Sequence, residues 1–356
     1  MYLTDQLLTY IGNKRALLPL IDQAWTHVRE SIAGDLTVLD GFAGSGVVSR
    51  WFKTQAVHTL YSNDFEPYSS YINRVYLANE EAVDRQLIAE LIAEANALPL
   101  VTDGIIQREY APLDDSNIKP EERCFYTREN AQRIDTIRQW AETQDPLLQP
   151  YIIAPLLIKA SIHTNTGGVF KGFYKDAATG VGKFGGTRAQ ALSRICAPIL
   201  LEAPLWHNSP TQVDCFTQDT NQLVSSLQCD VAYFDPPYNQ HPYGSNYHML
   251  NTILTYQPPH EASRVAGIPK NWQRSNYNRS AHALSTLQSL IDDCTANAII
   301  ISYNSEGFIS YTQMVEMLED QGECYIWDQN YNTYRASRNL NQRNQHVTEY
   351  CFVLYR

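Results

Sequence analysis

Thr37-Val38-Leu39-Asp40-Gly41-Phe42-Ala43-Gly44-Ser45-Gly46 decides how the rest of the chain reads. Thr37–Asp40 has the short β-branched and apolar character of a strand. The glycines after it make a tight turn, and Val47 to Lys53 opens a helix. Val57 to Ser62 reads as a second strand, ended by Asn63-Asp64, and Phe65 to Ala78 as a second helix. Upstream, Leu17, Leu18, Ile21, Trp25 and Val28 give Lys14 to Arg29 a helical period. A βαβα opening implies a parallel sheet in an α/β fold.

The turn has the spacing G-x-x-G-x-G. That is neither a dinucleotide fingerprint nor a phosphate-cradling loop, since no Gly-Lys-Ser/Thr follows. A simple tight turn gives the same pattern, but two acids add to it. Asp40 ends the first strand, within reach of an ammonium group. Asp64 ends the second, where an acid commonly takes ribose hydroxyls. A ligand with a ribose and a positive group, and no need of a phosphate site, fits best: S-adenosylmethionine rather than NAD or ATP. Asp219 either accepts from the adenine amine of such a ligand or caps a helix beginning at Thr220.

The second telling stretch is Val231-Ala232-Tyr233-Phe234-Asp235-Pro236-Pro237-Tyr238. The apolar run reads as a buried strand that the two prolines stop. A carboxylate, a stiff backbone and an aromatic ring at the carboxyl end of such a strand suit the holding of a planar, amine-bearing ring. Further strands are expected at Val213–Phe216, Ala298–Ser302, Cys324–Trp327 and Val347–Leu354. Helices are expected at Ser245–Tyr256, His282–Cys294 and Tyr311–Asp320. From Asn79 to Trp206 the pattern turns helical (Val83–Ala97, Glu129–Trp140, Tyr151–His163) and then gives way to the loop Thr166 to Thr187, rich in glycine, aromatics and bases.

The chain has 356 residues, 44% hydrophobic and 18% charged, with a net charge of −11. An acidic balance argues against a nucleic-acid partner, but the bases are not spread evenly. Lys159, Lys171, Lys175, Lys183, Arg188 and Arg194 face only Asp176 between Lys159 and Leu200. Arg264, Lys270, Arg274 and Arg279 form a second tract, and Arg335, Arg338 and Arg343 a third. Each tract alone reads equally well as a solvated loop; the three together favour phosphate contacts. The seven cysteines contain no CxxC pair and read as reduced thiols. The histidines show no ligand spacing, so no metal is expected. No apolar run approaches the roughly 20 residues of a membrane span. The start Met1–Asp5 lacks a signal-peptide pattern, so a cytoplasmic chain is expected.

The glycine turn, Asp64 and the Asp-Pro-Pro-Tyr motif, in that order, resemble the Dam-like DNA adenine-N6 methyltransferases of the alpha group. Tyr10-Ile11-Gly12-Asn13-Lys14-Arg15 is similar to the first cofactor motif of that family. The run Asp235 to Tyr247 and Ile301-Ser302-Tyr303-Asn304 are similar too. The resemblance implies a cofactor site from Tyr10, Asn13, Lys14, Asp40, Phe42, Gly44, Ser45, Gly46, Asp64, Phe65 and Asp219. It implies that Asp235 and the Pro236 carbonyl accept hydrogens from a flipped-out adenine amine while Tyr238 stacks on the base. It implies a catalytic domain over 1–80 and 213–356, built on the Rossmann-like sheet of class I S-adenosylmethionine-dependent methyltransferases, and an inserted, mostly helical and partly basic target-recognition domain over 81–212. Lys171, Lys175, Lys183, Arg188, Arg274 and Arg279 are the expected DNA contacts. The aromatics and lysines of Gly167–Lys175 either enter a groove or pack as an ordinary loop. The partner is double-stranded DNA, with no membrane, met by a monomer of a prokaryote or phage; the enzyme is either the modification half of a restriction-modification system, its cognate endonuclease acting separately, or a solitary methylase. The rival classes are weaker. Protein and RNA amine methyltransferases carry NPPY, cytosine-N4 enzymes carry serine in the first position, and a non-catalytic DNA-binding relic would have lost Asp40, Asp64, Asp235 or Tyr238.

Overall fold

The structure, a computed structural model, describes residues 2–186, 189–259, 261–332 and 346–356. Seven strands form one sheet: β1 Thr37–Asp40, β2 Thr59–Asn63, β3 Gln212–Phe216, β4 Val231–Phe234, β5 Ala298–Asn304, β6 Glu323–Asn332 and β7 His346–Tyr355. Their spatial order is β3-β2-β1-β4-β5-β7-β6. The first five are parallel, and β7 runs antiparallel between β5 and β6. This is the expected Rossmann-like methyltransferase sheet. The chain leaves β1 outward through β2 and β3 and returns to β4 on the other side of β1. The order therefore reverses between β1 and β4, where an open α/β sheet leaves a crevice beyond its carboxyl ends.

Both faces of the sheet are covered, which is why its central strands are apolar throughout rather than alternating. On one face lie α1 Leu18–Ser31 and α2 Val47–Thr54, whose Trp25 and Phe52 pack with Val38, Val231 and Tyr233. On the other lie α12 Ser280–Asp293 and α13 Tyr311–Glu319, whose Leu287 and Leu318 pack with Leu39, Ala232 and Phe234. Neighbouring strand residues thus enter different layers, as a period of two requires. A 3-10 turn, Lys14–Leu17, precedes α1.

Between β2 and β3 run α3 Pro67–Tyr76, α4 Arg85–Ala97, α5 Ile105–Tyr110, α6 Arg128–Ala141, α7 Gln149–Ile162 and α8 Leu192–Cys196. Then come α9 Thr220–Leu223 after β3, and α10 Tyr243–Asn246 and α11 His248–Thr255 after β4. The helices expected from periodicity are present, and the single helix expected over Ser245–Tyr256 starts earlier and is broken at Tyr247. The short α5 escapes sequence reading because its start is fixed from afar: Asp135 of α6 accepts from the Ile106 and Gln107 amides at 2.9 and 2.8 Å. The helical segment does not stand apart. Its Ile88, Ile134 and Leu156 share one core with Ile72 of α3 and Leu250 of α11. Arg138 ties α6 to α11 by donating to the Ile253 and Leu254 carbonyls, which end that helix.

Candidate active site

A cleft opens above the carboxyl ends of β1 and β4. Its floor is the glycine turn. The Gly44 amide donates to Asp64 Oδ2 at 2.6 Å and the Glu66 amide to Asp64 Oδ1 at 2.8 Å, so the acid at the end of β2 braces the turn. Burial pushes the Asp64 carboxyl up to about 6 despite those two bonds. Gly46 has φ +72, and a Cβ there would lie 1.9 Å from Asn73 Oδ1 of α3. Gly46→Ala therefore combines left-handed strain with a clash against a buried amide, at about 1–2 kcal/mol for the strain alone. The expected outcome is a lower melting temperature and weaker cofactor binding, read by calorimetry.

The expected cofactor residues gather here with two exceptions. Tyr10, Asn13, Lys14, Phe42, Gly44, Ser45, Asp64, Phe65 and Asp219 line the cleft; Asp40 and Gly46 do not. Asp40 is fully buried beneath the turn, where it accepts from Ser49 Oγ at 2.6 Å. Burial pushes its carboxyl up to about 7. Asp219 caps α9 through the Asn221 amide at 3.0 Å and also faces the cleft, so its two readings are compatible. Tyr10 lies in an aromatic stack with Tyr243 and Tyr247 at centroid distances of 5.0 and 4.8 Å. Asn13 Nδ2 donates to Ser45 Oγ at 3.3 Å, pinning the N-terminal segment to the turn. Phe42 meets Tyr277 edge-to-face at 5.5 Å, making one wall apolar.

Asp235 lies just beyond β4, at the cleft wall. Its Oδ1 is 3.1 Å from Lys14 Nζ, and that ammonium is also 3.5 Å from Glu349 Oε2 on β7. Asn304 Nδ2 at the end of β5 donates to Glu349 Oε1 at 2.6 Å. Burial pushes the Asp235 carboxyl up to about 6, with Lys14 drawing it back down. Burial alone would lower Lys14, but its two carboxylate neighbours outweigh that and raise it. Lys14 is thus a firmly protonated cation between two acids. Pro236 is buried, and Pro237 rather than Pro236 lines the cleft. Tyr238 is half-buried, edge-on to Tyr303 at 6.1 Å, outside the lining.

The expected DNA contacts split three ways. Lys171, Lys175, Lys183, Arg274 and Arg279 are exposed on loops. Lys183 comes within 3.9 Å of Asp176, Lys175 sits over the Phe173 ring and Arg274 over Trp272. Arg188 and the tract Arg335, Arg338 and Arg343 lie outside the described residues. The Gly167–Lys175 loop packs its aromatics inward. Phe170 is 1% exposed against Phe125 and His248, and Phe173 meets Phe125 edge-to-face, so neither ring is free to enter a groove.

Several lining residues carry no sequence signal: Glu66, Gln273, Ser275, Tyr277 and Asn278, the last four on the segment after α11, whereas Tyr243 lies in the Asp235–Tyr247 run singled out from sequence. Glu66 is 4% exposed, and burial together with Asp64 pushes it up to about 8. Glu349 does have a signal, because a carboxylate inside an apolar strand needs a buried partner. Among the described residues no three His, Cys, Asp or Glu side chains gather as a metal site. Nor, among them, is any helix long and apolar enough to cross a membrane.

The sequence profile described as D12 class N6 adenine-specific DNA methyltransferase matches residues 10–317. The type II methyltransferase M.NlaIII of Neisseria lactamica is 30% identical over 98% of this chain and 99% of that protein. The type II methyltransferase M.CviAII of Paramecium bursaria Chlorella virus 1 is 29% identical over 97% and 98% of the two chains. The modification methylase StsI of Streptococcus sanguinis is 28% identical over 98% of this chain but only 52% of its own length.

Proposed function

The chain belongs to the D12 class N6 adenine-specific DNA methyltransferase family, and from that premise we propose that its cleft holds S-adenosylmethionine beside an adenine flipped out of duplex DNA. The observation that carries this reading is the single cleft into which both Asp235 and the Gly44–Asp64 floor open. Its chemistry fits such a cofactor. Asp64 offers acceptors for ribose hydroxyls, Phe42 and Tyr277 an apolar wall, and Tyr10, Asn13 and Ser45 the far end. Lys14 is the sole cation among the described lining residues and is already paired, which suits a ligand without phosphates. Asp40 then acts from below, holding α2 to the sheet through Ser49.

When bound, S-adenosylmethionine supplies an electrophilic methyl group on a sulfonium. The residues of the chain prepare the other reactant. The lone pair of an adenine amine is delocalised into its ring. The Asp235 carboxylate and the Pro236 carbonyl accept the two amine hydrogens and turn that lone pair out of the ring plane. Tyr238 stacks on the base, and the remaining acceleration is positioning. The methylated amine loses its proton readily, so Asp235 acts as an acceptor and not as a strong base. One ammonium against two carboxylates leaves a net negative charge at the head of β4, which favours a cationic methyl donor beside it.

Acceptance requires the ionised form. With the Asp235 carboxyl at about 6, kcat falls as pH drops through that value and is full above it. A pH–rate profile with no acid limb between about 5 and 7 removes Asp235 from this role.

Residues 81–212, with the loop after α11, would face the DNA. Lys171 and Arg279 are the cleanest phosphate ligands, since neither forms an ion pair with an acid among the described residues. Replacing both by Ala weakens binding to all sequences and lowers the salt slope of log K by about 0.9 for each phosphate no longer neutralised. Like the relatives named as type II methyltransferases, the chain would serve as the modification enzyme of a restriction-modification system, working as a monomer apart from its endonuclease. The test is transfer of a tritiated methyl group to mixed-sequence duplex DNA. Label in N6-methyladenine is expected; label in cytosine or protein, or none, refutes the reading.

A further inference from the structure

We infer that Glu349 is a positioning residue for methyl transfer, sharing Lys14 with Asp235 so that the Asp235 carboxylate stays available to the substrate amine. This inference rests on the reading of Asp235 given above. Glu349 lies beyond residue 317, where the family match ends.

Two demands on the Asp235 carboxylate conflict. A carboxylate that must accept from an incoming amine sits 3.1 Å from an ammonium, which competes for the same lone pairs. Lys14 is 4% exposed, so bulk solvent does little to screen its charge. If Asp235 were its sole partner, the ion pair would be tight, and the amine would have to displace a charge-assisted hydrogen bond. Glu349 changes this balance. It is itself 5% exposed, and its Oε2 lies 3.5 Å from the same ammonium. Its Oε1 is fixed by Asn304 at 2.6 Å, so the side chain is held in register on β7 and cannot swing away. Glu349 and Asn304 are direct partners across the β5–β7 ladder, which makes that distance a property of the sheet. Lys14 can lean toward Glu349 when an amine reaches Asp235, without ever becoming an unpaired buried cation.

The groups acting on Asp235 come from every neighbouring element. Lys14 from the N-terminal turn favours its charged form and Glu349 of β7 opposes it. Tyr233 and Tyr243, Cys351 on β7 and the acid Asp40 on β1 also feel its charge, and Tyr238 follows it in the chain. Of these, Glu349 alone both repels Asp235 and touches its cation.

Glu349→Gln keeps the shape and the Asn304 hydrogen bond but removes the charge. Lys14 then pairs with Asp235 alone. The plateau kcat falls about tenfold, the weight of one misdirected charge-assisted bond. The acid limb moves to lower pH by about one unit, because a carboxylate left alone with its cation is harder to protonate. Affinity for S-adenosylhomocysteine stays within about threefold, and Glu349→Asp recovers most of the rate. The cofactor-free protein gives an independent reading. Wild type gains stability from Asp235 as pH falls from above its folded value near 6 toward its unfolded value, and Glu349→Gln gains less.

An unmoved acid limb overturns the inference, whether kcat is unchanged or falls only with the folded fraction. Should Glu349→Gln fail to fold, Asn304→Ala keeps the charge but removes its anchor. Glu349 is then free to swing away from Lys14, and the acid limb moves to lower pH as in Glu349→Gln; no movement overturns the inference here too. If wild type transfers no methyl group to adenine, the functional reading falls. If wild type is active and Glu349→Gln matches it, this inference alone falls.

Discussion

Asp235→Ala abolishes methyl transfer, lowering kcat by about a thousandfold or more, while affinity for S-adenosylhomocysteine changes by less than about threefold. The size of the effect follows from position. Asp235 stands at the switch point of the sheet, at the head of β4, where a strand end and a stiff Pro-Pro backbone fix its carboxylate. Without it the amine loses its acceptor, and its lone pair stays in the ring. The variant should still fold, because Lys14 and Glu349 remain as a one-to-one buried pair 3.5 Å apart. Asp235→Asn keeps one acceptor oxygen and should lose less. Single-turnover transfer with duplex DNA and titration calorimetry with S-adenosylhomocysteine separate the two effects. Loss of cofactor binding together with activity would make Asp235 a structural residue.

The largest effect on stability is expected from Lys14→Met, which removes about 3–5 kcal/mol at neutral pH. The side chain is 4% exposed, so methionine fills similar space, but two buried carboxylates are left facing each other without their cation. The pH dependence identifies the cause. Loss of the cation that draws Asp235 down raises its folded-state pKa further above its unfolded value. The deficit is therefore full above the raised folded value, shrinks as pH falls through it, and is gone well below about 4, where Asp235 is protonated in either state. Denaturant melts at pH 7.5 and pH 5 measure the difference. An equal loss at both would mean that packing, not charge, accounts for Lys14.

Much of the fold was legible because its signals are local. Strand periods, the glycine turn after Thr37–Asp40 and the prolines after Val231–Phe234 act over a few residues, and β1 and β4 fall at their expected places, while β6 runs on to Asn332 where its strand was expected to end at Trp327. Asp64, Asp219 and Asp235 follow strand ends, and the topology carries all three to one cleft. What failed to show were features held by distant partners. The start of α5 depends on Asp135, and the inward packing of Phe170 depends on Phe125 and His248. The burial of Asp40 under its own turn, bonded to Ser49, is likewise invisible in a motif that only places an acid at a strand end.

The sequence by itself therefore determined the sheet, its crevice and the chemistry offered there, since strand ends and turn residues are written within short windows. Only the tertiary structure decided which charges meet. Lys14 reads as one more residue of an N-terminal cofactor motif, yet its buried ammonium lies between Asp235 and a glutamate 335 residues away. An ammonium and a carboxylate removed from water must find each other, and which ones do so is set by the register of β5 against β7 and the path of the chain above β4. No local pattern records either.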